Sequence, residues 1–197
     1  MKIKSAKFHI SSPDLDSCPR WLWREFAFVG RSNVGKSSLI NMLTHKSGLA
    51  KVSARPGKTQ LINFFVINEA WSLVDLPGYG FAKTAKDRKY GFSVLIRDYL
   101  EGRENLTCVF VLIDSRLPPQ QIDLDFLRWL NDCGVRHVLV YTKADKVSAA
   151  KVRGTIELMM AEVAGWRAEP LQVIVSSSKT GSGRQEVLGE ITKVMEG

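Results

Sequence analysis

The chain has 197 residues, about the length of one globular domain, and a domain of this size can bury a sufficient core without disulfides or a structural metal. Its hydrophobic content of 45% comes in short runs, the longest at 108–113, which argues against a membrane-spanning helix. The formal net charge of +8 indicates a polyanionic partner, and charge alone leaves nucleic acid and an acidic membrane surface open. Three scattered cysteines without CxxC spacing favour free thiols over a disulfide framework or a zinc site.

The amino terminus carries lysines with no apolar segment behind them, so the sequence predicts neither a signal peptide nor a transit peptide, and a cytoplasmic protein is expected. Residues 1–20 are interpreted as an N-terminal arm packed on a single domain of residues 21–197. No repeat, low-complexity tract or linker divides this domain.

Apolar runs of strand type alternate with segments of helical period, which is the pattern of an α/β fold with a mostly parallel sheet. Strands are predicted at 26–30, 61–67, 71–75, 108–114, 137–142 and 171–176. Apolar stripes at 122–133 and 152–163 predict two core-facing helices. The turn at 68–70 is too short for a crossover helix, so the strands on either side should pair antiparallel. The expected sheet has six strands, one of them antiparallel, with helices on both faces.

A glycine-rich motif lies directly between the first predicted strand and a helical stretch. It fits G-x-x-x-x-G-K-[ST] and comprises Gly30, Arg31, Ser32, Asn33, Val34, Gly35, Lys36 and Ser37, with Ser38 following. The glycines let backbone N–H groups turn towards phosphates at a helix N-terminus, where the helix dipole favours anions. Lys36 would neutralise the β and γ phosphates, and Ser37 would supply an oxygen to Mg²⁺. The alternative, an ordinary glycine-rich turn, is disfavoured by the flanking strand and helix.

Phosphate loops occur in ATPases and GTPases alike, so the nucleotide base must be identified from a second element. Thr142, Lys143, Ala144 and Asp145 close the strand 137–142, at the sheet edge where ligands bind. A carboxylate there can accept two hydrogen bonds from guanine, whereas adenine would leave Asp145 unpaired. Lys143 would lay its aliphatic stem along the base. The segment after the last strand is predicted to offer backbone N–H groups to the guanine O6, and this element is the least specific of the set. It comprises Val175, Ser176, Ser177, Ser178 and Lys179, of which Val175, Ser176 and Ser177 are taken as the nucleotide contacts.

A third element follows the strand 71–75. Asp75, Leu76, Pro77 and Gly78 fit D-x-x-G, in which Asp75 holds Mg²⁺ through its water shell and the Gly78 N–H contacts the γ-phosphate. Thr59, in the preceding loop, is expected to complete the magnesium shell, so the predicted metal site is Ser37, Thr59 and Asp75. The neighbours of Thr59 that are included in the predicted nucleotide contacts are Gly57, Lys58, Gln60 and Leu61.

These motifs together resemble the EngB family of bacterial GTPases, in the Era-like group of P-loop GTPases. The matching stretches are 28–41, 56–65, 75–80, 114–119 and 142–146. The resemblance implies a three-layer, Ras-like G domain that binds GTP and GDP. It also implies a role in assembly of the large ribosomal subunit, and a need for the protein in normal cell division and septation.

Catalysis is expected to be slow. After D-x-x-G, Ras-like proteins carry a glutamine that orients the attacking water, and here the position is Tyr79. The predicted catalytic residues are therefore Lys36, Thr59 and Gly78, acting through positioning and charge. Asn33 matches a position that helps to bind K⁺ in related potassium-activated GTPases. The alternative is that Asn33 only tolerates a turn conformation.

The expected partner is the large ribosomal subunit or its rRNA, bound by a monomer in a GTP-dependent way. Two basic loops flank the predicted switch elements: one carries Lys46, Lys51, Arg55 and Lys58, and the other carries Lys83, Lys86, Arg88 and Lys89. One rival is a nucleotide-gated rRNA-binding module with negligible turnover, and another is a P-loop kinase, which the guanine element argues against. Trp21 and Trp23 are the only two tryptophans close enough in sequence to suggest an exposed aromatic patch.

Overall fold

The structure, a computed structural model, describes residues 1–51, 61–80 and 92–196. In these ranges one sheet has the strand order β1-β3-β4-β2-β5-β6-β7. The strands are β1 (Ala6–Ser12), β2 (Glu25–Gly30), β3 (Ile62–Ile67), β4 (Trp71–Asp75), β5 (Leu106–Asp114), β6 (His137–Thr142) and β7 (Val173–Val175). Strands β2, β4 and β6 are buried along their whole length. Their sequences are largely apolar because helices cover both faces of this mostly parallel sheet.

The predicted antiparallel strand is β3, which pairs antiparallel with β4 in the expected hairpin. The other pairings among β2, β4, β5, β6 and β7 are parallel. The mostly parallel α/β fold predicted from the sequence is therefore confirmed.

The predicted strand count of six is wrong, since the described residues form a seven-stranded sheet. The additional strand is β1, which lies within the predicted arm and pairs antiparallel with β3. Only Ala6 and Ser12 of β1 are buried, and the pairing register shifts between Phe8 and Ile10. Ala6, Phe8 and Ile10 alternate with Lys7, His9 and Ser11, which is the period of a strand, so the signal was present in the sequence and was overlooked.

Helices cover the two faces of the sheet. Their bounds are α1 (Lys36–Thr44), α2 (Val94–Gly102), α3 (Gln121–Asp132), α4 (Ala149–Ala164) and α5 (Arg184–Glu196), with a short 3₁₀ helix at Ala144–Lys146. Helices α1 and α5 pack in one apolar cluster, and α2, α3 and α4 pack in the other. Both predicted helical stripes are thus confirmed, as α3 and α4. Within the described ranges, every helix is too short or too polar to span a bilayer.

The parallel strands set the position of the loops that carry the motifs. Strands β2, β4, β5, β6 and β7 end at Gly30, Asp75, Asp114, Thr142 and Val175. Because these strands are parallel, their carboxyl ends share one edge of the sheet, where ligands bind in open α/β folds.

Candidate nucleotide-binding site

The glycine-rich loop connects β2 to α1 through a backbone that needs its glycines. Gly35 has φ 106°, in the left-handed region, and Asn33 has φ 63°. A Cβ on Gly30 would lie 2.8 Å from the Leu112 carbonyl oxygen, so a side chain there would push β2 away from β5. A glycine-rich turn of this kind at the start of a helix can turn its N–H groups towards an anion.

The guanine element holds this loop in place. The Thr142 hydroxyl donates to the Val34 carbonyl at 2.6 Å, and Lys143 Nζ donates to the Asn33 carbonyl at 2.6 Å. The two predicted motifs, more than a hundred residues apart in the sequence, thus form one connected structure.

The D-x-x-G element lies against the same loop. Leu76 N–H donates to the Phe28 carbonyl at 3.0 Å, and Tyr79 N–H donates to the Gly30 carbonyl at 3.2 Å. A Cβ on Gly78 would approach Gly30 O and Ser32 N to 3.2 Å, so only glycine fits here without displacement. Leu76 and Pro77 are buried, which fixes the element beside the phosphate loop.

Lys36 and Asp75 form an ion pair at the centre of the site, with Lys36 Nζ donating to Asp75 Oδ1. Their side chains are only 11% and 7% exposed. Ser37 and Ser38 follow Lys36 in the first turn of α1. A lysine, a serine hydroxyl and a carboxylate at one place suit a phosphate chain with a hard divalent cation, since Mg²⁺ prefers oxygen ligands.

Asp145 is positioned by the loop after β7. Ser177 Oγ donates to Asp145 Oδ1 at 2.6 Å, and Ala144 N–H donates to the Ser176 carbonyl at 3.2 Å. The Ser177 hydrogen bond is the main cause that lowers the pKa of Asp145. The carboxylate is therefore ionised at neutral pH, as an acceptor of two guanine hydrogen bonds must be.

The backbone after β7 corrects one detail of the prediction for guanine O6. Ser176 N–H donates to the Tyr141 carbonyl at 2.7 Å, and Ser177 N–H donates to the Ser182 carbonyl at 3.1 Å. Neither group is available to a base. The next N–H, that of Ser178, has no partner among the described residues, so it is the better candidate. The sequence showed the loop but not which of its N–H groups the fold uses.

Comparisons with known proteins agree with this geometry. A family model described as a 50S ribosome-binding GTPase matches residues 25–143. The relatives named probable GTP-binding protein EngB from Bacteroides thetaiotaomicron and Flavobacterium johnsoniae are each 48% identical to this chain, over 98% of its length and 96% and 93% of theirs. The chain belongs to the EngB family. It is a GTP-binding protein and a GTPase, and EngB membership confirms the resemblance seen in the sequence.

Solved structures support the fold of this EngB-family chain. The crystal structure of a probable GTP-binding protein EngB has a TM-score of 0.69 at 23% identity, covering 87% of this chain and 98% of that one. The G domain of the T. maritima FeoB iron transporter has a TM-score of 0.57 at 24% identity, covering 88% and 99%. At these identities the likeness concerns the fold alone.

Asp114 is a residue of the EngB-family site to which the sequence assigned no role. Asp114 Oδ2 accepts from Lys143 Nζ at 2.8 Å, and Arg116 binds the carboxylate through Nε and Nη2 at 2.9 and 2.8 Å. Burial, the largest single effect, would raise the pKa of Asp114, but the hydrogen bonds from Arg116 and Lys143 outweigh it and lower the pKa to about 2. Asp114 thus fixes Lys143, and its position at the end of β5 was the available signal.

Tyr79, directly after the D-x-x-G element, is 1% exposed and stacks on Phe126 with ring centroids 4.5 Å apart. Its hydroxyl donates to Asp123 Oδ1 at 2.8 Å, and Arg31 Nε lies 3.2 Å from the same oxygen. Burial first, and then the Asp123 charge, raise the pKa of Tyr79 well above its usual value. The hydroxyl is therefore neutral and held in the protein core.

A groove of about 890 Å³ runs between α1 with the loop that follows it and the segment after β7. Ser38 and Asn41 line one side, and Ser178, Lys179 and Arg184 line the other. Its volume is in the range of small-molecule sites.

Part of the predicted site lies outside the described residues. These positions are Gly57, Lys58, Thr59 and Gln60. Leu61 is described, precedes β3 and is 38% exposed. The magnesium contact of Thr59 therefore stays a prediction.

Proposed function

We propose that this EngB-family protein is a Mg²⁺-dependent GTPase switch that acts in assembly of the large ribosomal subunit. The observation that carries the proposal is the junction of two loops: Lys143 binds both Asn33 of the phosphate loop and Asp114, while the ionised Asp145 lies two residues further on. One site can bind a triphosphate and a guanine base together only where the phosphate loop and the guanine element meet. The 50S ribosome-binding description of the matching family supports the choice of partner.

The charges at the centre of the site indicate how Mg²⁺ and GTP would be held. Lys36 would leave Asp75 and bind the β and γ phosphates, while Asp75 and Ser37 would hold the cation, with Thr59 as the third residue. The bound Mg²⁺ would neutralise charge that develops between the phosphates. Lys36, Thr59 and the Gly78 N–H are the proposed catalytic groups.

A low intrinsic rate is part of the proposal. The Tyr79 hydroxyl donates to Asp123, so it offers no group to orient the attacking water. Asn33 is exposed at the tip of the phosphate loop. Its side chain would bind a K⁺ that supplies charge in place of an arginine finger.

The partner is proposed to be rRNA of the large subunit. Lys46 and Lys51 are described and exposed, at the start of the first basic loop. The other cations of the two loops lie outside the described residues: Arg55, Lys58, Lys83, Lys86, Arg88 and Lys89. The γ-phosphate, acting through Thr59 and Gly78, would order both loops only in the GTP state. The protein would act in the cytoplasm as a monomer, and its loss would disturb cell division and septation through the ribosome.

Co-sedimentation with large ribosomal subunits tests the switch. Particles should bind the GTP-analogue form more tightly than the GDP form, because a ligand shifts an equilibrium only by its preference for one state. Replacing Lys83, Lys86 and Lys89 together by Ala should flatten the salt dependence by up to about three units, with GTP affinity unchanged. Equal binding of both nucleotide forms across the salt series would refute the switch.

The engaged Tyr79 hydroxyl also favours a second candidate, a nucleotide-gated rRNA-binding module with negligible turnover. GTP hydrolysis measured with and without large subunits separates the two. Stimulation by the particles supports the switch, and an unchanged, near-zero rate supports the binding module.

A further inference from the structure

Asp123, in the first turn of α3, is a buried carboxylate with no role in the nucleotide chemistry proposed above. Its side chain is 1% exposed. Oδ1 accepts from the Tyr79 hydroxyl at 2.8 Å, and Arg31 Nε lies 3.2 Å from the same oxygen. Tyr79 directly follows Gly78 of the D-x-x-G element, and Arg31 directly follows Gly30 of the phosphate loop. One carboxylate therefore contacts both of these elements.

The backbones of the two elements are paired as well. Arg31 and Tyr79 form an isolated parallel bridge, and Tyr79 N–H donates to the Gly30 carbonyl at 3.2 Å. After Tyr79 the chain turns through Gly80, whose φ is 92°. Gly78 lies directly before this bridge, and among the described residues its N–H donates to no protein group. The direction of that N–H therefore depends on where Tyr79 is held.

Two separate contacts hold the Tyr79 side chain. Its ring stacks on Phe126 of α3, with centroids 4.5 Å apart, and a phenylalanine ring would make the same contact. Its hydroxyl adds the hydrogen bond to Asp123, which ties the ring to the carboxylate that also binds Arg31. The hydrogen bond can thus be removed while the packing is kept.

Stability of the core is a poor explanation for Asp123. Burial, the larger effect, raises the pKa of its carboxyl, whereas the Arg31 charge and the Tyr79 hydrogen bond lower it. Oδ2 is buried and has no hydrogen-bond partner among the described residues. Such a group costs stability, and replacing buried ionic groups by apolar ones is often neutral or stabilising. An acid in the first turn also suits the helix dipole, but it can do so from the surface.

We propose that Asp123 is a positioning residue that fixes Gly78 for the γ-phosphate by holding Tyr79 against the phosphate loop. GTP contacts the Gly78 N–H through its γ-phosphate, and GDP lacks this group. Loosening the D-x-x-G element therefore weakens binding of GTP and leaves binding of GDP unchanged, because a contact favours only the state that makes it. The inference rests on the contact between Gly78 and the γ-phosphate in the proposed function.

The test is the ratio of the affinities for a non-hydrolysable GTP analogue and for GDP, measured by isothermal titration with Mg²⁺ present. Tyr79→Phe should lower the preference for the triphosphate about fivefold or more, with GDP affinity unchanged. Asp123→Ala should lower it at least as much. The double variant should lose no more than Asp123→Ala alone, because that change has already removed the hydrogen bond of Tyr79.

Tyr99→Phe is the matched control. The Tyr99 hydroxyl donates to Glu25 Oε2 at 2.6 Å, and Arg103 binds the same carboxylate, so the same three groups recur in the core. Glu25 begins β2, at the end opposite Gly30 and the phosphate loop. Tyr99→Phe therefore removes an equivalent hydrogen bond away from the phosphates, and the affinity ratio should keep its wild-type value.

Gly78→Ala is the positive control, since its Cβ would lie 3.2 Å from Gly30 O and Ser32 N and should lower the ratio. A ratio lowered in Gly78→Ala but not in Tyr79→Phe or Asp123→Ala would overturn the inference and keep the γ-phosphate contact. A wild-type ratio in Gly78→Ala would refute that contact, and the inference with it. An equal decrease in Tyr99→Phe would indicate general loss of packing and would also overturn the inference. If Asp123→Ala does not fold, Tyr79→Phe still decides.

Discussion

Asp145→Asn tests whether the negative charge of Asp145 makes the site select guanine over other bases. In the structure Asp145 Oδ1 accepts from Ser177 Oγ at 2.6 Å, and this hydrogen bond lowers the pKa of the carboxyl. Guanine presents two donors, N1–H and the N2 amine, and an ionised carboxylate can accept both. An amide at the same position offers one acceptor and one donor, and the donor would oppose the N2 amine.

The size of the effect follows from the two lost charged hydrogen bonds. Each bond to a charged group corresponds to roughly ten- to a hundredfold in affinity, so GTP should bind at least about tenfold more weakly. Xanthine carries an oxygen in place of the N2 amine, and the asparagine N–H can donate to it. XTP should therefore bind the variant more tightly than it binds the wild type. Ser177 can still donate to the asparagine oxygen, so the melting temperature without nucleotide should not change.

Fluorescent GTP and XTP analogues titrated into both proteins give the four affinities, and the melting temperature without nucleotide is the control. Ser177→Ala is a matched variant that leaves the charge but removes its positioning, so it should weaken GTP less than Asp145→Asn and should not favour XTP. Unchanged GTP affinity in Asp145→Asn would show that the base is read elsewhere. Equal losses for GTP and XTP would indicate general damage to the loop.

Three further predictions concern Lys36, Asn33 and Asp114. Lys36→Ala should abolish or severely weaken triphosphate binding, because the phosphates lose the lysine of the loop; tight GTP binding in a fluorescence titration would remove the assignment. Replacing K⁺ by Na⁺ at constant ionic strength should slow hydrolysis in the wild type, whereas Asn33→Ala should be slow in both salts; equal wild-type rates would end the K⁺ hypothesis. The folded pKa of Asp114, about 2, lies below its unfolded value near 3.9, so its contribution to stability is present above pH about 4 and is lost as the pH falls towards 2. Because Arg116 is half-exposed, solvent screening reduces this contribution to about 1–2 kcal/mol. The difference in unfolding free energy between wild type and Asp114→Asn, measured with urea, should therefore close over that pH window. A difference that persists at pH 2 would contradict the ion-pair assignment.

The central strands and the phosphate loop were predictable because their constraints are local. A parallel strand buried on both faces must be apolar along its length, so β4 and β6 were found with their observed bounds. Gly35 is required by its own φ of 106°, which makes the motif visible in the sequence. Edge strand β1 shows only the alternation at 6–11, which was overlooked, and it was taken for part of an arm.

Contacts between the motifs could not be predicted because the fold creates them. Nothing in the spacing of Asp114 and Lys143 indicates that their side chains lie 2.8 Å apart. The same holds for Ser177, whose hydroxyl reaches Asp145 because β6 and β7 are neighbours. The guanine element was recognised from its residues. Only the structure shows that Lys143 contacts Asn33 and Asp114, and that Asp145 contacts Ser177.

Under the proposed function, the ion pair between Lys36 and Asp75 predicts that GTP and Mg²⁺ bind together. Both side chains are nearly buried, so removing one partner would leave the other charge uncompensated. Lys36 can move to the phosphates at little cost only if a cation replaces it beside Asp75. Chelating Mg²⁺ should therefore weaken GTP binding strongly in the wild type and much less in Asp75→Asn, where no charge is stranded. Isothermal titration of GTP with and without Mg²⁺ gives the four affinities of this cycle. An equal effect of Mg²⁺ in both proteins would show that Asp75 does not carry the coupling.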